Sequence, residues 1–387
     1  MKIAIFTDTF LPQTNGVVNA VLQSARKLSV LGHEVVIFAP TDSERGGTKE
    51  SRGFRVEMLP SVPAFVYPGE RMVLPARRAF RALEAMQPDI IHSHTPFGAG
   101  KLAVRGARSL GVPLVGTHHT FYDHYLKYIK LNYSWMRGII WKLTINYYND
   151  CSFMISPSGA LAETLKDVGL ASPVGVVPNA IDTDFFRPIE NDSEKENAKR
   201  HFGINGFSIA YMGRLGYEKS IDVVIRAFAY MKKEMPDLTL MIIGDGPERR
   251  HLEQLVRELG LTDSVVFTGF QYGEDLVRAL HANDVFVTAS KSENMPLSVL
   301  EAMAVGLPVI SVREKGLAEI VKEGENGLFS KTDDEQDIAT KTLSILSRPD
   351  TMREYGVASR KLALQYSEDV AVEALLDAYN RALKNQT

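Results

Sequence analysis

Residues 292–310 read SENMPLSVLEAMAVGLPVI, and two glutamates interrupt the apolar pattern, Glu293 just before it and Glu301 inside it. A carboxylate held away from water costs several kcal/mol unless something pairs with it or hydrogen-bonds to it. Glu301 therefore needs a backbone or arginine partner, or a ligand; its acceptor oxygens suit vicinal hydroxyls such as those of a ribose. Pro296 suits the first helical position, with Met295 or Asn294 capping, which leaves Glu293 in the preceding loop. Upstream, in YMGRLGYEKSID, Arg214 and Lys219 flank a glycine-containing turn ahead of Ser220, a residue type that caps helices. Two cations beside a helix start make a site for phosphate or diphosphate; the plainer reading is a pair of surface cations. In TDTFLPQTNGVV, Gly16 either opens a helix and nothing more, or lets a ligand approach bare backbone N–H groups.

Five of the nine histidines fall in residues 92–124: His92, His94, His118, His119 and His124. His92 and His94 share one face of a strand. No set of Cys, Asp or Glu at ligand spacing accompanies them, which disfavours a metal site, and DTD at 182–184 reads as turn and linker. No GxGxxG follows a strand, which argues against a dinucleotide oxidoreductase.

The elements that must position these groups alternate. KIAIF, HEVVIFAP, DIIHSH, PLVGTHH, CSFMISPS and VGVVPN read as strands separated by helices, and the pattern breaks into turn residues and charge near 178–190. FSIAYMG, LTLMIIG, VVFTG, VFVTAS and the stretch ending LPVI form a second series. Such alternation indicates parallel sheets covered on both faces, with ligands at the carboxyl ends of the strands. A chain of 387 residues suggests two domains of roughly 180 residues each. Hydrophobic content of 45% and charged content of 24% are those of a globular protein. The single cysteine, Cys151, excludes an intramolecular disulfide and fits a reducing compartment. The apolar start MKIAIF is too short for a signal sequence, and no apolar run reaches the roughly 18 residues that span a bilayer.

The net charge of −3 is uneven: residues 1–185 carry 19 basic and 15 acidic groups, and residues 71–142 carry eleven and three. Residues 121–148 hold both tryptophans, Trp135 and Trp141, with six tyrosines, among them Tyr122 and Tyr125, interleaved with Lys127, Lys130, Arg137 and Lys142. A second basic segment, RMVLPARRAFRAL, adds Arg71, Arg77, Arg78 and Arg81. Aromatic residues among cations suit lipid headgroups; the rival is aromatic core packing under a solvated basic face.

SENMPLSVLEAMAVGLPVI resembles the Glu-x7-Glu signature of the family-4 retaining glycosyltransferases. Gly16 in PQTNGVV, GRLGYEK, PNAIDTDFF and GDGPERRHLEQL match further motifs of that family in order, across essentially the whole chain. Met295 and Pro296 stand where the family often has glycines. The resemblance implies an α/β GT-B fold, two Rossmann-like doubly wound domains facing a central cleft. An acceptor-binding domain at 1–183 is joined by a crossover helix at 365–387, and a nucleotide-sugar-binding domain lies at 184–364. It implies that Arg214 and Lys219 hold the nucleotide diphosphate, Glu301 the ribose hydroxyls, and that Glu293 faces the donor sugar, with Asn294, Met295, Pro296 and Leu297 around it. His119 matches the active-site histidine, Gly16 the phosphate side, and Gly269, Phe270 and Gln271 the base-binding loop.

GTHHTFYDHYLKYI is most similar to the branch that glucosylates diacylglycerol at membranes, beside sulfoquinovosyl and phosphatidylinositol mannosyl transferases. The implied activity is retaining transfer of a hexose, glucose from UDP-glucose, to a lipid hydroxyl such as that of diacylglycerol. Alternatives are another acceptor, including a soluble sugar, or a nucleotide-sugar hydrolase or epimerase on the same fold. The resemblance implies no required cofactor beyond the nucleotide-sugar co-substrate, with a divalent metal at most stimulatory. It also implies no nucleic-acid partner, and a cytoplasmic protein held peripherally at the inner, anionic face of the cell membrane.

Overall fold

The computed structural model describes residues 1–13, 15–41, 47–51, 53–63, 71–119 and 134–385, with backbone alone at 134–137. The chain divides into two compact units, Met1–Ala180 with Glu368–Thr387, and Ile181–Ser367. The boundary expected at 183/184 thus falls at 180/181, and the returning helix, expected from 365, begins at Glu368. Both crossings are pinned on the second unit's side: Ile181 N–H donates to Tyr366 O at 3.0 Å, and Ile181 bridges Ser367.

Among the described residues, the first unit holds strands β1 (Lys2–Phe6), β2 (Glu34–Thr41), β3 (Gly47–Ser51), β4 (Phe54–Pro63), β5 (Arg71–Val73), β6 (Ile90–Ser93), β7 (Leu114–Thr117), β8 (Phe153–Ser156) and β9 (Val174–Val176). Their order is β3-β4-β2-β1-β6-β7-β8-β9, with β5 pairing on β4. All pairs are parallel except those of β3 and β5 with β4. β6, β7 and β8 are buried at every residue, as strands covered on both faces must be, so each opens on adjacent apolar residues rather than alternating with polar ones, and the polar residues that end them, Ser93, Thr117 and Ser156, are buried too. Helix Glu368–Lys384 closes this unit. Leu375, Ala378, Tyr379 and Ala382 enter the core with Ile3, Ile5, Val115 and Ile155, each large apolar side chain contributing about 1.5–3 kcal/mol. Arg26 and Lys27, on helix Gly16–Val30, pair with Glu368, and Lys27 reaches Asp369 at 2.6 Å.

The second unit has β10 (Ser208–Met212), β11 (Thr239–Ile243), β12 (Val265–Gly269), β13 (Val285–Val287), β14 (Val309–Val312) and β15 (Gly327–Ser330). They form a parallel sheet in the order β12-β11-β10-β13-β14-β15. In each sheet the strand order reverses beside the first strand, between β1 and β6 and between β10 and β13. Loops leave such a switch point in opposite directions and open a crevice at the strands' carboxyl ends, where doubly wound sheets bind ligands. The turns after β1, β6, β10 and β13 carry Gly16, His94, Arg214, Lys219 and Glu293, while His119 follows β7 and Gly269 ends β12.

Candidate active site

The β10/β13 switch point brings together three of the expected residues. The turn after β10 is laid against the turn after β11: Gly213 N–H donates to Ile243 O at 3.0 Å and Leu215 N–H to Asp245 O at 2.9 Å. Gly244 permits this approach, since a Cβ there would lie 2.0 Å from Gly213 O and its φ is +139°. Residues Tyr217–Lys219 form one 3₁₀ turn, and Ser220 follows with φ 50° and ψ 42°. Ser220 makes no side-chain cap, contrary to expectation, because the left-handed backbone needed to start the next helix is not the extended one from which a cap hydroxyl reaches back.

Lys219 Nζ donates to Glu293 Oε1 at 2.6 Å, with both side chains mostly covered. Ser292 Oγ donates to Glu218 O at 3.5 Å, and Arg214 stands 3.8 Å from Glu218. Beneath them Tyr211 is buried; that burial, then the charges of Glu293 and Glu218, hold its phenol well above the ordinary range. The Glu293 loop is fixed from the other side by Gly316, whose N–H donates to Glu293 O at 3.2 Å. A Cβ at Gly316 would sit 1.3 Å from Asn294 O, so only glycine fits.

Pro296 is the N-cap of helix Leu297–Ala304, so the helix starts one residue later than expected, because the Pro296 carbonyl receives the first helical N–H groups, those of Val299 and Leu300. The Pro296 side chain makes no cap hydrogen bond, and the helix's first N–H groups add a partial positive charge beside Glu293. Met295 is buried in the core and Leu297 packs against it, so neither side chain enters the loop, while Asn294 is buried beside them. Glu301 keeps part of its surface in solvent, but its carboxyl lies deep in the protein, and desolvation pushes it up to about 8. Among the described residues its carboxyl has no hydrogen-bond or ion-pair partner. The backbone or arginine partner that would make it structural is not found, and a ligand's hydroxyls remain the partner that suits it.

Gly269 ends β12 with φ 71°, and its carbonyl accepts from Gly244 N–H at 2.8 Å, which ties this loop to the glycine turns. Gln271 Nε2 donates to Thr268 O at 3.0 Å, while the exposed rings of Phe270 and Tyr272 lie 6.2 Å apart and 30° from parallel. Tyr272 was not anticipated; the alternation of aromatics in GFQYG was the available signal.

In the first unit, Gly16 starts helix Gly16–Val30 behind Asn15, whose side chain accepts from Val18 N–H. A Cβ on Gly16 would meet nothing within 4 Å, so no packing demands glycine there. At the β1/β6 switch point the buried Asp8 carboxylate accepts from Thr95 Oγ1 and from the N–H groups of Val73 and Ala99, fixing the strand and helix that flank it. His92 bonds Tyr379 Oη at 2.8 Å and Thr117 Oγ1 at 2.7 Å. His94 Nδ1 and His119 Nε2 are 2.8 Å apart. Burial drives His92 to about 3, His119 to about 4 and His94 well down, so all three rings are neutral at pH 7. They line a small open pocket, of about 50 Å³, together with Lys27, Asn179 and Glu368. No three metal-ligating side chains among the described residues are grouped to hold an ion.

The expected lipid-facing set divides. Tyr122, Tyr125, Lys127 and Lys130 lie outside the described residues, as does the Trp135 side chain. Arg77 and Arg81 are exposed. Arg78 is committed elsewhere: it donates to Thr48 Oγ1 at 2.8 Å and to the buried Glu57 carboxylate at 3.3 Å, which also takes Arg55. Trp141 packs on the core with its ring 5.9 Å from that of His118, so it faces inward rather than toward lipid. On the same helix, Ser134–Tyr148, the solvent side shows Ile139, Lys142 and Leu143 instead. No helix among the described residues is long and apolar enough to cross a membrane.

Residues 14–185 match the family described as Glycosyltransferase Family 4, and residues 192–362 that described as Glycosyl transferases group 1. An alpha-monoglucosyldiacylglycerol synthase of Streptococcus pneumoniae is 31% identical over 93% of this chain and 81% of its own. A GDP-mannose-dependent alpha-mannosyltransferase of Mycolicibacterium smegmatis is 30% identical over 99% of this chain and 98% of its own. The crystal structure of Anabaena HepE in complex with UDP and glucose has the same fold, with a TM-score of 0.78 at 19% identity over 97% of this chain and 98% of that one. The chain belongs to the family-4 glycosyltransferases and has their GT-B fold.

Proposed function

We propose that this protein transfers a hexose, glucose from UDP-glucose, to a membrane lipid hydroxyl such as that of diacylglycerol, with retention at the anomeric carbon. The observation that carries this reading is the cation pair at the β10/β13 switch point: Lys219, already holding a carboxylate at 2.6 Å, and Arg214 beside it. A diphosphate competes with Glu293 for Lys219, and when it wins, Glu293 is released toward the sugar. As the glycosidic bond breaks, charge gathers on the leaving diphosphate. Arg214, Lys219 and the helix start at Leu297 meet that charge without reorienting, where water would have to. Glu301 accepts from the ribose hydroxyls, which supplies the partner its carboxyl lacks. The exposed Phe270 and Tyr272 offer faces to a base. By the resemblance, Gly16 keeps an open backbone for phosphate and His119 meets the sugar.

No sequence motif marks a second carboxylate to oppose Glu293 as a hydrolase's second acid would, and in this reading the departing phosphate oxygen takes the acceptor's proton while the cations neutralise the leaving group, with no metal required. The lipid acceptor is supported by the alpha-monoglucosyldiacylglycerol synthase relative, and by the exposed Ile139, Leu143, Arg77 and Arg81, which suit peripheral binding to the anionic inner face of the cell membrane. The mannosyltransferase relative favours one second donor, GDP-mannose. The test is to incubate the protein with radiolabelled UDP-glucose, UDP-galactose or GDP-mannose and vesicles containing diacylglycerol or phosphatidylinositol. Labelled glucosyl-diacylglycerol of α configuration supports the reading. Release of free sugar at the same rate with and without lipid overturns it in favour of a hydrolase.

A further inference from the structure

His119 does not stand alone: its Nε2 is 2.8 Å from His94 Nδ1. The two ring planes are 14° apart with centroids separated by 5.1 Å. With the nitrogens that close and the centroids that far, the rings lie edge to edge in nearly one plane, so the contact is an in-line hydrogen bond rather than a stack. Both rings are neutral at pH 7, so a single proton lies between them, on one nitrogen or the other.

Burial of His94 decides which. Its side chain is 2% exposed, and among the described residues its Nε2 has no hydrogen-bond partner. Were the shared proton on His119 Nε2, His94 would carry its own proton on Nε2 as an orphaned buried donor. With the shared proton on His94 Nδ1, the orphan is a bare lone pair instead. Buried N–H groups without partners are the rarer and costlier of the two. The neighbouring His92 does not alter this choice: its two nitrogens are taken by Tyr379 and Thr117, and its ring lies over that of His94 at 4.2 Å.

We propose that His94 is a positioning residue that donates through Nδ1 to His119 Nε2 and so locks His119 in the tautomer protonated on Nδ1. His119 then serves as a hydrogen-bond donor to an oxygen of the bound sugar nucleotide and not as a base at that nitrogen. The second half of this statement rests on the glycosyltransferase reading; the tautomer does not. The ring nitrogen that is protonated in a positioned histidine is set by the bond the other nitrogen makes.

The test is long-range ¹H–¹⁵N correlation of the full-length chain labelled with ¹⁵N-histidine at pH 7, with peaks assigned by loss in single variants. The expected spectrum has His119 protonated at Nδ1 and bare at Nε2, and His94 likewise. His94→Asn, whose amide N–H takes the place of Nδ1–H, keeps that pattern for His119, whereas His94→Leu gives a mixture of tautomers. In the transfer assay, His94→Leu lowers kcat/KM by about 10- to 100-fold, the usual range for a residue that orients a functional histidine, and His94→Asn restores most of it. A proton on His119 Nε2 in the wild type overturns the proposal, as does a His119 pattern that His94→Leu leaves unchanged. If His94→Leu does not fold, the wild-type and His94→Asn spectra decide on the same criteria. A protein with the expected tautomer but no transferase activity would uphold the assignment and reject the function.

Discussion

Glu301 makes stability depend on pH in a direction opposite to that of most paired carboxylates. Its carboxyl is pushed up to about 8 in the folded protein from an ordinary value of 4.5. A group raised in this way binds its proton more tightly when folded. Its contribution is therefore fully present below pH 4.5 and is lost as pH rises toward 8. At about 1.4 kcal/mol for each pH unit across that window, the loss has an upper bound of about 5 kcal/mol. Glu301 keeps some contact with solvent and the fold relaxes around a charge, so about 2–4 kcal/mol is expected, or about 4–16 °C in Tm for a unit of this size. Glu301→Gln is neutral at every pH and retains the shape. Thermal unfolding of wild type and Glu301→Gln from pH 4.5 to 9 should give nearly equal Tm values at the acid end, with the variant gaining progressively up to about pH 8 and then holding a constant lead. The buried neutral histidines, which lose stability as pH falls below 6.5, cancel in this comparison because both proteins carry them. Parallel Tm curves would refute the desolvated carboxyl. Binding of UDP to the wild type at pH 7 should also release protons, since ribose hydroxyls donate to the ionised form, and Glu301→Gln should abolish that release in calorimetry run in buffers of different ionisation heat.

Further outcomes follow from the same geometry. Lys219→Ala and Arg214→Ala should each lower kcat by about 100-fold or more, as loss of one transition-state donor does, and near-normal rates in both would reject their role. Gly316→Ala should displace the Glu293–Asn294 backbone, because its Cβ would overlap Asn294 O; a Tm within 2 °C of wild type, together with unchanged turnover, would contradict the packing. Ile139→Glu with Leu143→Glu should cut sedimentation with anionic vesicles severalfold while leaving Tm unchanged, and unaltered sedimentation would remove this helix face from the membrane contact.

The alternation of strands and helices was legible because parallel strands buried on both faces carry adjacent apolar residues instead of alternating ones, as Ile90–Ile91 of β6, Leu114–Val115 of β7, Phe153–Ile155 of β8 and Ile209–Met212 of β10 do. What that alternation does not carry is the order of strands, and order is what makes the site. Lys219 and Glu293 are 74 residues apart, and only the pairing of β10 with β13 joins them. Residue types and glycine-bearing turns singled out Arg214, Lys219, Glu293 and Glu301, but which of them would pair and which would stay unmet was hidden. Arg78 shows the same limit: its neighbours suggested an open basic face, while Glu57, 21 residues away, was invisible as its partner. Trp141 misled because an aromatic in a basic helix looks the same whether its face meets lipid or a core; Ile139 and Leu143, neither of them aromatic, are the apolar residues that stay exposed. The bond from His94 to His119 spans two adjacent strands and could be read only once β6 and β7 were paired.

The most direct test of the central claim is a crystal structure of the protein soaked with UDP-glucose or its non-transferable phosphonate analogue. The account predicts Lys219 parted from Glu293, with Lys219 and Arg214 within hydrogen-bond distance of diphosphate oxygens and the Glu301 carboxylate on both ribose hydroxyls. A bound nucleotide with Lys219 still on Glu293 and the ribose remote from Glu301 would contradict it.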